Sequence, residues 1–239
     1  MYPIISIAQR DYSFQNLLVG DILVLSKIDK RYYQQQLSSI LSTIVGAEVN
    51  PMLLTCEERY AALLVYLDIT RDHNDLNQSL DINQYLSKDL DNFNKDRIFD
   101  ENGVSVRHLL GIEAHALEIG CEGTEDWILG AMAITIGCEQ LPPIDAATSL
   151  DFAGKMIKNR MDELRKLEVM EFNSLMAAYS ELQINQDHLV NMAFDGGIVL
   201  EKIDLRGADD APVRFQPSTA FKGYSKEILS IATRANTKL

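Results

Sequence analysis

The segment from Thr55 to Ile69 constrains the fold of this chain more than any other. Thr55-Cys-Glu-Glu58 matches the S/T-x-x-E capping box, in which a hydroxyl and a carboxylate satisfy free backbone N–H groups at the start of a helix. The interior, Tyr60 to Leu67, is apolar nearly all round. Because a helix without a polar face is buried on more than one side, the sequence predicts a central helix with the rest of the chain packed around it.

Apolar residues at spacings of three and four predict further helices. In one of them Tyr33, Leu37, Ile40, Leu41 and Ile44 share a face, and the helix ends before Gly46. Other helices are predicted to begin near Asp21, to span 109–119, to span 124–137 with Thr124 as the cap, and to span 219–234. The stretch 149–182 is predicted to form either one long helix or two helices joined near Lys166 to Val169.

The β component is predicted to be small. Asn102-Gly103 separates two short runs within Arg97 to Arg107, and this dipeptide favours a hairpin with a type I′ turn. Strands are also expected at 3–8 and, after two glycines, at 198–205. The polar stretch 71–94 is expected to be a loop with one short helix. The predicted fold is therefore mainly α with a small β component, α+β overall.

The prolines Pro142-Pro143 mark the best internal boundary, because successive prolines remove two backbone donors and restrict the residues before them. The sequence predicts an N-terminal helical domain with a hairpin at 1–141. A C-terminal helical unit with one strand candidate is predicted at 142–239.

The charge balance excludes several classes of partner. The chain has 22 Lys and Arg against 35 Asp and Glu, a net charge of −13. Such a surface repels phosphate backbones and anionic lipid headgroups, so neither a nucleic acid nor a membrane is expected as a partner. The N-terminus has no basic region before its short apolar run, and we expect neither export nor membrane anchoring.

Metal and disulfide chemistry are not expected. Three cysteines, Cys56, Cys121 and Cys138, are too few and too far apart for a disulfide framework. With His108 and His115 they include the ligand types of zinc, but the spacing lacks the paired C-x₂₋₄-C and H-x₃₋₅-H patterns. Buried structural cysteines are the preferred interpretation.

The sequence also lacks recognisable motifs for catalysis and for cofactor binding. The acidic stretch from Asp72 resembles a calcium loop but has Leu76, Asn77 and Asn83 where an Asx or Glu ligand, a glycine and a glutamate belong. Neither a phosphate-binding glycine loop nor G-x-S-x-G occurs, and His73 and His188 stand in no signature. No cofactor is expected. A cytoplasmic enzyme whose site assembles only in three dimensions remains the alternative.

A group of Met and Phe residues offers a candidate partner-binding surface, because Met is common on adaptable binding faces. At helical spacing the same residues are also typical of a protein core. The candidate residues are Met156, Met161, Met170, Phe172 and Met176.

The order of these segments carries a family resemblance. Leu17 to Leu25, an amphipathic helix, Leu54 to Leu67, a hairpin and a second helical set follow one another. This pattern resembles the baseplate hub and tail-assembly proteins of T-even-type contractile-tailed bacteriophages. The resemblance is closest from Leu54 to Ile69, extends loosely over 14–140 and includes nothing after Pro143.

The resemblance implies a structural or assembly component of the phage tail baseplate that binds other tail proteins without catalysis. It implies synthesis in the host cytoplasm and a place in the virion if the protein is retained. A transient tail-assembly chaperone is the second reading. A homo-oligomer is possible, and the acidic charge suits basic partners without identifying one.

Overall fold

The computed structural model describes residues 2–29, 31–70, 82–145 and 148–203. Within these ranges about 48% of the chain is helical and 13% is in small sheets, which confirms the mainly α, α+β prediction. The helices are α1 Val19–Leu25, α2 Tyr33–Ile44, α3 Cys56–Ile69, α4 Gly111–Gly120, α5 Thr124–Thr135, α6 Leu150–Leu164 and α7 Val169–Asn185. The strands are β1 Ile4–Ile7, β2 Arg10–Ser13, β3 Ile98–Phe99, β4 Ser105–Val106, β5 Ile136–Gly137, β6 Asn191–Phe194 and β7 Ile198–Glu201.

Helix α3 is the centre of the molecule, as predicted. Every residue from Cys56 to Leu67 is buried. The Thr55 hydroxyl accepts from the Glu58 backbone N–H at 3.1 Å, and the Glu58 carboxylate accepts from the Thr55 N–H at 2.9 Å. The predicted capping box is therefore confirmed, and the helix ends at Ile69 where the apolar run ends.

The strands form three small antiparallel sheets, with orders β1-β2, β3-β4-β5 and β6-β7. The hairpin predicted around Asn102-Gly103 is present as β3 and β4, in which Phe99 pairs with Ser105. The predicted type I′ turn was wrong. Such a turn needs a positive φ at both central residues, and between Asn102 and Gly103 only Gly103 has one, at 80°. The Asp100 carboxylate instead accepts from the backbone N–H groups of Asn102 and Val104 and holds a longer loop.

The fifth helix also differs from its prediction. Thr124 is its first helical residue and Gly123 its cap; the Thr124 hydroxyl instead accepts from the Gly196 backbone N–H at 2.9 Å. The helix ends at Thr135 rather than Gly137, since Ile136 and Gly137 turn extended and pair with β4.

The 149–182 stretch forms two helices, α6 and α7, joined between Leu164 and Val169, which confirms the second of the two predicted alternatives. The structure gives β1 and β7 within the predicted strand regions. A short 3-10 turn lies at Ile82–Gln84. The predicted helix at 219–234 lies outside the described residues.

Helix α6 joins the chain after Pro143 to the chain before it by packing on α4 and α5. Arg160 of α6 is buried, and its guanidinium donates to the carbonyls of Ala133, Ile136 and Pro142. These include carbonyls that the end of α5 leaves without helical partners, so a buried cation stabilises that helix end. One hydrophobic cluster runs from Ile7 to Leu200 across the proline boundary. The division into 1–141 and 142–239 stays a prediction.

Candidate functional site

A groove lies between α5, α7 and β6 and encloses a cavity of about 490 Å³. Helix α7 contributes Met176, Ser180 and Ile184, which lie one turn apart on one face. Helix α5 contributes Ile128 and Ala131 from the opposite side. We call this feature the α5–α7 groove; its remaining apolar lining comes from Leu109 and from Met192, Ala193 and Phe194 of β6.

The edges of the α5–α7 groove are apolar and open to solvent. Ile184 is 78% exposed and Ile128 is 38% exposed, although both line the cavity. Below them Trp127 is buried and stacks on Phe194, with ring centroids 6.1 Å apart. The rigid aromatic pair supports one wall, while the isoleucines leave apolar area unburied.

A buried carboxylate with two histidines lines one end of the groove. Glu57, in the first turn of α3, accepts from His188 Nδ1 at 2.8 Å and from the Leu189 backbone N–H at 2.6 Å. His108 Nδ1 lies 3.4 Å from the same carboxylate. Burial alone would raise the pKa of Glu57, but the hydrogen bonds from His108 and His188 hold it below its ordinary value.

The surroundings of His188 favour its charged form. Its Nδ1 faces Glu57, and its Nε2 lies 2.9 Å from the Gln183 carbonyl oxygen. Both nitrogens therefore face acceptors, which is the arrangement of a doubly protonated imidazolium. The hydrogen bond to Glu57 raises the pKa of His188 above its ordinary value. When His188 is doubly protonated, both ring nitrogens donate, and the imidazolium forms an ion pair with Glu57.

The hydroxyl groups of the groove are also engaged. Tyr179 Oη accepts from Gln183 Nε2 at 2.9 Å and lies 3.3 Å from the Thr135 hydroxyl. Burial raises the pKa of Tyr179 to about 12, so the phenol stays neutral. By contrast, the buried Nε2 of Gln186 has no hydrogen-bond partner among the described residues, and Gln186 lines the groove.

The candidate zinc ligands do not converge. His108 joins Glu57, His115 lies on α4, Cys121 follows α4, and Cys138 follows β5. Burial raises the pKa of the Cys121 thiol to about 11. Within the described ranges no three His, Cys, Asp or Glu side chains are arranged to hold a metal ion. The acidic stretch 71–81 lies outside those ranges.

The five predicted partner-binding residues lie in different environments. Met170 is exposed, Met156 and Phe172 are partly buried against the core, and Met176 lines the α5–α7 groove. Met161 is buried in the core, with its sulfur beside Gly130 of α5. Met161 therefore offers no surface to a partner, because the α5 helix already covers it. Partner binding by the other four stays a prediction.

Sequence reasoning missed most of the groove. Its wall β6 precedes Gly196-Gly197, whose φ angles of 56° and 141° form the turn into β7. A glycine pair between two apolar runs is a hairpin signal, so this strand was detectable. The pairing of Glu57 with His188 spans 131 residues and leaves no local pattern.

A second apolar surface lies on α1. Ile22 and Leu25 are buried, whereas Leu18, Val19, Leu23 and Val24 are 67%, 55%, 37% and 56% exposed. Among the described residues, no helix has the length and hydropathy needed to cross a bilayer.

Comparisons of the chain with protein-family models, with curated proteins and with solved structures find no match.

Proposed function

We propose that this protein is a structural or assembly component of a contractile bacteriophage tail baseplate and that it acts by binding other tail proteins without catalysis. In this proposal it is made in the host cytoplasm and remains in the virion when it is a structural component. The sequence resemblance centred on Leu54 to Ile69 supports the family. The exposed aliphatic side chains of α1 support the mode of action.

The α1 surface is the observation that carries the proposal. The helix has seven residues, and its outer side exposes Val19, Leu23 and Val24 while Ile22 and Leu25 anchor it to the core. Soluble monomers rarely leave contiguous apolar area in water, and such area typically marks a protein–protein contact. The net charge of −13 adds long-range attraction to a basic partner.

The first test removes the gene from the phage and examines the particles by electron microscopy. We expect filled heads with absent or incomplete baseplates, since a missing subunit blocks assembly. Intact tails on particles lacking the protein would refute the proposal and bring the enzyme alternative forward. Mass spectrometry of wild-type particles then separates a retained component from a transient chaperone.

The second test asks whether α1 carries the contact. Val24→Lys places a charge on the α1 surface, and we expect it not to restore baseplates to the deletion phage. Ile119→Lys is the matched control, because Ile119 is 58% exposed against 56% for Val24 and both lie near the end of a helix. We expect the control to restore assembly. Restoration by both variants would exclude α1 as the binding surface.

A further inference from the structure

We infer that the α5–α7 groove binds a basic amphipathic segment of a partner protein, with the apolar face of that segment in the groove and its Lys and Arg residues over the rim. This inference deepens the proposed function by assigning a partner chemistry to the groove. It depends on that proposal only for the view that the protein works by binding other proteins.

The apolar side of the recognition is visible in the lining. Ile128, Met176, Ile184 and Phe194 face one another across a cavity of about 490 Å³. The exposed edges at Ile128 and Ile184 make the feature a trough and not a closed pocket. A trough between two helices suits the apolar stripe of an amphipathic segment, as in helix-in-groove recognition.

The charged residues on the helices and strands around the groove indicate the charge of the partner segment. Helices α5 and α7 and the stretch 186–201 form the walls, and none of them contains a Lys or an Arg. Apart from His188, their ionisable side chains are acidic: Glu125, Asp126, Glu171, Glu181, Asp187, Asp195 and Glu201. These seven lie outside the cavity lining, whose own charged residues are Glu57, the histidines and Arg107, and Arg107 pairs with Glu113 at 2.6 Å. Among the seven acidic residues, Asp126 pairs with Arg165 of α6. An apolar groove on elements that carry an excess of acidic residues is complementary to a segment whose apolar residues are flanked by Lys and Arg.

The groove also offers a specific hydrogen-bond donor. Gln186 lines the groove, and its Nε2 is buried and has no partner within the described part of the chain. A buried donor without an acceptor is destabilising, because it has lost its hydrogen bonds to water. A backbone carbonyl of a bound segment would satisfy it, which favours a peptide over a purely apolar occupant.

A second copy of this chain is a poorer occupant. Two copies that each carry a net charge of −13 repel one another, and the wall elements of the groove add acidic residues to that charge. The inference therefore commits to a basic partner, and self-association is an outcome that the test can detect.

The test uses the full chain and a model peptide. The probe is a fluorescein-labelled helix of about 18 residues made only of Leu and Lys, with the leucines on one face. Trp127 is the only tryptophan of the protein, lies next to Ile128 and stacks on Phe194, so its emission reports on the groove. Fluorescence anisotropy gives the affinity, and Trp127 emission shows whether the peptide occupies the groove.

Two matched variants locate the binding. Ile184→Lys changes the groove edge, whereas Val169→Lys makes the same charge change on the same helix outside the groove, at 75% exposure against 78% for Ile184. We expect Ile184→Lys to weaken peptide binding about tenfold and Val169→Lys to change it less than about twofold. Circular dichroism confirms that both variants fold.

Peptide controls separate the two recognition elements. A Leu/Glu peptide of the same pattern should not bind, and a Ser/Lys peptide of equal charge should leave Trp127 emission unchanged. The inference is overturned by absent binding, by equal losses in both variants, or by equal affinity for the acidic peptide. Concentration-dependent dimerisation that Ile184→Lys abolishes would assign the groove to a second copy instead.

The outcomes separate this inference from the proposed function. A deletion phage without baseplates, together with no peptide binding, would retain the baseplate role and exclude the groove as its contact. Peptide binding in the groove together with intact tails in the deletion phage would retain the binding site and exclude the baseplate role.

Discussion

Helices α3 and α7 differ in which side chains they bury and which they expose. In α3, Glu57, Glu58 and Arg59 are at most 2% exposed, so ionic groups lie inside the protein. In α7, Ile184 is 78% exposed beside an apolar groove. Helix α3 therefore buries charged side chains that water would solvate favourably, whereas α7 exposes an apolar side chain whose contact with water is unfavourable.

The charged residues of α3 are compensated within the chain. Glu58 pairs with Lys95 at 2.8 Å, and Glu57 accepts from His188. Arg59 donates to the Gln34 side chain at 3.0 Å and to the Ser38 hydroxyl at 2.7 Å. Each of the three charged groups thus has hydrogen-bond partners inside the protein, although the buried Nε of Arg59 has none among the described residues.

The apolar edges of α7 lack that compensation. Ile184 of α7 and Ile128 of α5 face solvent, and acidic residues lie on the same helices. From this comparison we expect α3 to contribute most to stability, and we propose α7, together with α1, as a binding element. The four predictions below test that division.

The largest effect is expected in the middle of α3. Leu64 is 0% exposed, and Leu64→Asp places an unpaired carboxylate in the core, at a cost of several kcal/mol. Because whole domains are stable by about 5–15 kcal/mol, we expect loss of cooperative thermal unfolding. Ile184→Asp makes the same charge change on α7 and should shift stability by less than about 0.5 kcal/mol. A cooperatively melting Leu64→Asp protein would remove α3 from the centre of the fold.

A smaller effect is expected where α4 meets α3. A Cβ on Gly111 would lie 2.6 Å from Arg59 Nη1 and 2.7 Å from the Pro51 carbonyl oxygen. Gly111→Ala should therefore lower the free energy of unfolding by about 1–3 kcal/mol, measured by urea denaturation. Gly120 of the same helix has no atom within 4 Å of its Cβ position, and Gly120→Ala should be neutral or slightly stabilising. Equal effects would show that Arg59 and Pro51 can move aside.

The contrast also explains which parts of the fold were predictable. The capping box at Thr55 and the Asn-Gly loop are local, so α3 and the β3-β4 hairpin followed from a few neighbouring residues. Strand β5 has two residues and exists because Ser105 pairs with Gly137, a contact that no local pattern encodes. Thr124 matched a capping pattern yet bonds to Gly196, because the β6-β7 turn competes for its hydroxyl.

The first hairpin was missed for another reason. Ala8 and Gln9 form its turn with φ angles of 53° and 62°, a conformation that glycine and asparagine usually supply. The Ala8 backbone N–H donates to the Leu90 carbonyl at 2.7 Å, so tertiary contact holds a turn that the residues themselves do not favour. The groove was missed in the same way, since its walls come from elements far apart in sequence.

The third prediction concerns the ion pair that links α3 to the end of α7. The pKa of His188 in the folded protein lies above its ordinary value of 6.5. The ion pair therefore contributes fully to stability below pH 6.5, and this contribution is lost as the pH rises through the folded-state pKa. The pKa of Glu57 lies below its ordinary 4.5, so the contribution is also lost as pH falls through that lowered value. His188→Gln removes the charge and leaves a neutral side chain with an N–H donor.

We expect the stability difference between wild type and His188→Gln to be largest between pH 4.5 and 6.5, the ordinary values of the two groups, and to shrink in alkaline solution. The difference should be on the order of 1 kcal/mol, because the His188 side chain is 42% exposed and solvent screens the pair. Urea denaturation at several pH values measures it. His108 is common to both proteins, so the difference isolates His188. A difference that does not vary with pH would contradict the ion pair.

The smallest effect is expected at Thr124, where α5 meets the β6-β7 turn at the end of the groove walls. Its exposed hydroxyl accepts from the Gly196 N–H and donates to the Asp195 carboxylate at 3.3 Å. Thr124→Ala removes these two solvent-accessible hydrogen bonds, at a total cost of about 0.5 kcal/mol. Thr55→Ala removes the hydroxyl that caps the N-terminus of α3 in its buried capping box, and we expect it to lower the free energy of unfolding by about 1–2 kcal/mol. The two threonine variants therefore compare the stability contributions of α3 and of the groove walls through one hydroxyl group each. Urea denaturation of both variants measures their free energies of unfolding. If Thr124→Ala costs as much as Thr55→Ala, the groove walls contribute to stability as α3 does, and the division between a stabilising helix and a binding helix fails.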